Sequence, residues 1–102
     1  MTGEAGSTAL GRLVGRWETE GRDSSAVFEV AVVAGKPVVT GVDDKDGERF
    51  TISDVEWDGK SLSFAALMPS TRFRSRHKLT IVRAGVIDHE LTVIERWIKV
   101  GP

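Results

Sequence analysis

RHKLTIVRAGVIDHEL, residues 76–91, holds two alternating runs around a Gly turn signal, and its register decides how the rest of the chain is read. Arg83-Ala84-Gly85 suits a three-residue loop with Gly85 in the left-handed conformation. Val82 then pairs with Val86, Lys78 falls opposite Glu90, and Thr80 falls opposite Asp88. Leu79, Ile81, Ile87 and Leu91 share one face, which must be the core face, so Arg72, Arg74, Arg76 and Lys78 point outward. There they meet carboxylates of their own sheet, and no stacking aromatics are interleaved with them. We read this cationic stripe as the wet side of a strand and expect no nucleic-acid partner. The same register turns Ser75, His77 and His89 inward, with the two imidazoles diagonal across the ladder.

Working outward, period-2 segments recur between turn signals at AGKP, DKDG, WDGK and RAG. They predict antiparallel strands near 15–21, 26–34, 37–43, 48–57, 60–67, 71–82 and 86–94, with a last piece at 96–100. Asp54 interrupts its run, because the apolar set shifts from Phe50 and Ile52 to Val55 and Trp57, and a β-bulge at Asp54 accounts for the shift. Ahead of the first strand, STALGRLVG (7–15) reads as a short helix capped by Ser7 or Thr8, with Leu10, Leu13 and Val14 on one face. The first six residues read as a disordered N-terminus and residues 7–102 as one domain.

Composition narrows the chemistry. Fourteen Lys plus Arg against 15 Asp plus Glu leave a net charge of −1, which gives no field toward phosphate backbones or anionic membranes. The absence of Cys removes disulfides, thiolate metal sites and cysteine nucleophiles together. No signal-peptide pattern or long apolar run is present, so we expect no membrane association and a cytoplasmic location. No nucleophile elbow, P-loop or dinucleotide fingerprint occurs, and DDKDGE (43–48) reads as a hairpin tip rather than a calcium loop. We therefore expect a binding protein with no catalytic residues and no cofactor. His77 and His89 lack a third ligand at fixed spacing, so no metal site is expected.

An open sheet of seven or eight such strands would expose the greasy edge of FEVAVV (28–33), whereas a closed antiparallel barrel would not. The second and third strands are apolar on both sides. With Phe28, Val30 and Val32 inside, Val27, Ala31 and Val33, joined by Val39 and broken by Glu29, form an outward patch that predicts a homodimer.

A short helix, then G-x-W at Gly15 to Trp17 opening the first strand, then an up-and-down meander and Arg96 near the end: this order resembles the lipocalin and wider calycin group of β-barrels. The resemblance implies a small all-β, up-and-down barrel of seven to eight strands, with Trp17 packed across the closed end beside Arg96. It also implies a small apolar or amphipathic ligand held inside. The residues expected to line that pocket are Trp57, Phe64, Leu79 and Leu91 as walls, with Ser75, His77 and His89 giving polarity. A second reading is a protein-binding module such as a compact barrel protease inhibitor, in which the MPSTR loop (68–72) does the work. Interior volume separates the two.

Overall fold

The computed structural model describes residues 9–18, 26–95 and 97–101. Seven antiparallel strands follow one another: β1 (Gly15–Trp17), β2 (Ala26–Val33), β3 (Lys36–Asp43), β4 (Thr51–Trp57), β5 (Ser61–Met68), β6 (Phe73–Arg83) and β7 (Val86–Ile94). They form two sheets, β1-β2-β3 and β4-β5-β6-β7, in meander order. The all-β expectation holds, and the strands fall close to their expected limits. Residues 97–100 are not a strand. The proposed caps Ser7 and Thr8, the N-terminal six residues and Arg96 lie outside the described residues.

The sheets are hinged at the 44–50 turn. Asp43 N–H donates to Glu48 O (2.8 Å) and Phe50 N–H to Gly41 O (2.9 Å), around a single bridge between Val42 and Arg49. Beyond that point β3 and β4 part, and Pro37, which has no N–H to give a ladder, sits on a strand that is an edge of its sheet. Asp43 Oδ1 and Asp46 Oδ1 accept N–H bonds from Lys45 and Glu48, so these carboxylates serve their own turn, in keeping with a hairpin tip. Among the described residues β1 and β7 are not paired with each other.

The hairpin register is the expected one. Lys78 pairs with Glu90, Thr80 with Asp88, and Ile81 with Ile87. At the turn itself a register shift lets Arg83, rather than Val82, pair with Val86, and Gly85 is left-handed at φ 75°. The second expected irregularity is also present: the β4-β5 register slips between Ser53 and Glu56, with Asp54 at φ 54°. The slip keeps Ile52, Val55 and Trp57 packed against one core. Arg74, Arg76 and Lys78 are exposed, and Arg76 lies 3.7 Å from Asp54 across the outer face.

That core runs from Leu10 and Leu13 through Phe28, Val30 and Val39 to Leu62, Phe64, Ala66 and Leu79. A single helical turn at 9–11 seats Leu10 and Leu13 and is tied to β1 by Trp17, whose indole Nε1–H donates to Leu13 O at 2.7 Å. Trp17 is itself partly buried and packs against the core. Val14 does not join this face and is half exposed.

The outward patch needs correction. Val27 is 2% exposed in the single chain, and Val39 pairs with Val30 on the core face. The ladder sums β2 and β3 positions to a constant odd number, so odd residues of one strand face the same way as even residues of the other. The outward apolar stripe is therefore Ala31, Val33 and Val38, with Glu29 exposed beside it. No helix among the described residues is long and apolar enough to cross a membrane.

Candidate functional site

Phe28 ties the two sheets together and forms the base of the site. Its ring centre lies 5.1 Å from Phe64 of β5, 4.7 Å from His77 of β6 and 5.4 Å from Phe50. Opposite Phe28 in the ladder is Gly41, and a Cβ there would come within 2.6 Å of the Phe28 ring. The ring thus lies flat over a backbone that only glycine leaves bare.

Above this base is a cavity of about 620 Å³, of the size that holds a small organic molecule. Its walls come from both sheets: Trp17, Ala26 and Phe28 on one side, and Leu79, Ile87 and Leu91 on the other, with Phe50, Met68 and Phe73 between them. Glu18, Asp43 and Thr71 are polar members of the lining. The 69–72 loop is held near Thr71 by Glu48, which accepts bonds from Ser70 Oγ (2.6 Å) and Ser70 N (3.0 Å).

Three polar side chains enter this space in series. Ser75 and His77 are two residues apart on β6 and so share its inner face. Ser75 Oγ is 2.8 Å from His77 Nε2, and His77 Nδ1 is 2.7 Å from His89 Nε2. The imidazole planes differ by 2° with centres 5.0 Å apart, a separation that the N···N contact spans edge to edge. The rings are therefore joined in plane rather than stacked. Phe64 does stack on His77, at 5.0 Å and 11°. Among the described residues no buried side-chain nitrogen or oxygen lacks a partner.

Burial sets the charge of this chain. Loss of water, helped by the neighbouring His89, pushes the His77 pKa down to about 4, and partial burial lowers His89 as well. Both imidazoles are neutral at pH 7. A base this weak is poorly matched to activating Ser75 at neutral pH, so the arrangement is suited to holding a hydrogen-bonding group.

Of the seven residues expected to form the pocket, Ser75, His77, Leu79, His89 and Leu91 line the cavity. Trp57 and Phe64 do not. Trp57 packs against the core from β4, and Phe64 is fully buried behind His77. Leu91 lines the cavity yet is 54% exposed, because among the described residues β7 is an edge strand with no neighbour on its far side. The role given to Phe28, Phe50 and Gly41 was not read as a site from sequence. The available signal was a glycine inside a strand, which marks a close approach of another group. Compared with known proteins, the chain matches no family model, no curated protein and no solved structure.

Proposed function

We propose that the protein binds one small amphipathic molecule in this cavity, apolar body against Phe28, Phe50 and Leu79, polar group at the Ser75–His77–His89 chain. The observation that carries the reading is the pairing of a roughly 620 Å³ hollow with a hydrogen-bonded polar chain, buried at Ser75 and His77 and exposed at His89, that reaches into it. A solid interior, as the inhibitor-like reading requires, would leave no such space. The meander order, the two sheets facing each other through Phe28 and the Trp17 plug also support a calycin-like barrel, which pairing or bridging between β1 and β7 would complete. The outward Ala31, Val33 and Val38 stripe is where a second copy would dock in a homodimer.

Organic extraction of the purified protein followed by mass spectrometry tests the reading. The expected result is an amphipathic small molecule recovered in near-equal ratio to the chain or, after delipidation, taken up again from a mixed small-molecule extract. Failure both to retain and to take up any such molecule would overturn it.

A further inference from the structure

His77 and His89 together make a surface that neither makes alone. Their planes differ by 2° and His77 Nδ1 lies 2.7 Å from His89 Nε2, so the two imidazoles form one flat plate, two rings wide. Three of its four ring nitrogens are used within the Ser75–His77–His89 chain, and ring nitrogens bond in the plane of their ring. What the plate offers a neighbour above or below it is therefore a π face.

One of those faces is already occupied. Phe64, opposite His77 in the β5-β6 ladder, stacks on it at 5.0 Å and 11°, and Phe64 is fully buried behind the cavity wall. Phe28 does not cap the other face. Its centre lies 4.7 Å from His77 and 5.1 Å from Phe64, and its ring is tilted 57° and 59° to them, which puts it at the side of that stack. Opposite His77 on the β7 side of the ladder is Leu91, which lines the cavity and is exposed. His77 and His89 line the cavity too, so the hollow meets the face of the plate that turns away from Phe64. A ring laid there would continue the Phe64–His77 stack and meet Phe28 at an angle suited to an edge-to-face contact.

The rest of the wall points the same way. Trp17, Phe50 and Phe73 join Phe28 in the lining, so more than half of the chain's Trp and Phe residues gather at this one hollow. An alkyl chain gains only its buried area from such walls, whereas a flat aromatic body gains stacking as well. From this geometry we infer that the ligand of the cavity is a planar aromatic molecule of two or more fused rings, one face of which lies on the His77–His89 plate. The inference rests on the binding role proposed above and specifies its ligand class.

The test sets 2-naphthalenemethanol against decahydro-2-naphthalenemethanol, each displacing the fluorophore N-phenyl-1-naphthylamine at pH 7.5. The two share a carbon skeleton and an alcohol, and differ in flatness and π character. The saturated compound has the more apolar body, so a greasy hollow with no flat wall would prefer it. The wild type should instead bind the aromatic alcohol about tenfold more tightly, a difference worth about 1.4 kcal/mol. The plate can also be watched directly, because the chain has only two histidines. Their ring protons should move upfield in the NMR spectrum on adding the aromatic alcohol, and much less with the saturated one. His89→Leu replaces an exposed residue and removes half of the plate. It should keep the saturated alcohol while the aromatic preference falls severalfold.

Equal or tighter binding of the decahydro alcohol by the wild type, or histidine protons that do not respond to the aromatic one, would overturn the aromatic-ligand inference while leaving a binding cavity. A preference unchanged in His89→Leu would overturn the role of the plate. If neither the fluorophore nor either alcohol binds, the binding reading itself fails, and this inference with it.

Discussion

Gly41→Val will destabilise the protein by about 3 kcal/mol and abolish ligand uptake, although valine is the better strand former. The two effects can be weighed. Strand propensity spans only about 1 kcal/mol, whereas forcing extra carbons into a packed core costs typically 1–3 kcal/mol, occasionally more. A Cβ at Gly41 would lie 2.6 Å from two carbons of the Phe28 ring and 3.1 Å from Phe50. Phe28 can give way only toward the cavity it lines, since Phe50, Phe64 and His77 hold its other sides. Either the ring moves into the cavity or β2 and β3 separate. Denaturant unfolding of Gly41→Val beside Gly11→Ala checks this, because a Cβ at Gly11 meets nothing within 4 Å and should shift stability by no more than about 0.5 kcal/mol. Equal, small effects from both would mean that Phe28 is not pinned.

Acidification will cost the fold about 2–3 kcal/mol between pH 7.5 and pH 4.5, most of it through His77. This imidazole titrates near 6.5 in the unfolded chain and at about 4 when folded. Between those values the unfolded state binds more protons, so stability is full above pH 6.5 and falls as pH drops toward 4. Lowering of His89 acts in the same direction. His77→Leu should flatten the profile over this window, and urea midpoints at the two pH values measure it. An unchanged pH dependence in that variant would place the sensitivity elsewhere.

Much of this was legible in the residues themselves. Gly85 fixed the hairpin, and from it followed the Lys78–Glu90 pairing, the outward cations and the inward Ser75, His77 and His89. Asp54 betrayed its bulge because the apolar period broke there. These are local signals, carried by turn chemistry and the two-residue period of a strand. What escaped depends on where distant strands lie. The hinge at 44–50 brings β2 over β6, and no local pattern says that Phe28 will reach His77. Nor does it say that Trp57, on the correct face of β4, stands away from the cavity. Leu91 has an inward-facing position by period and still meets solvent, because exposure is set by the edge position of β7 among the described residues rather than by its own strand.

The account stands on the proposal that a hollow between the two sheets takes up a small amphipathic molecule. Fluorescence titration of N-phenyl-1-naphthylamine into wild type and Leu91→Trp tests it most directly, since position 91 lines the cavity from the exposed edge strand and can take an indole without crowding the core. Saturable binding of one probe per chain by the wild type, lost in a Leu91→Trp protein that still unfolds cooperatively, is the predicted result. No saturable binding by the wild type, or equal binding by both proteins, would contradict it.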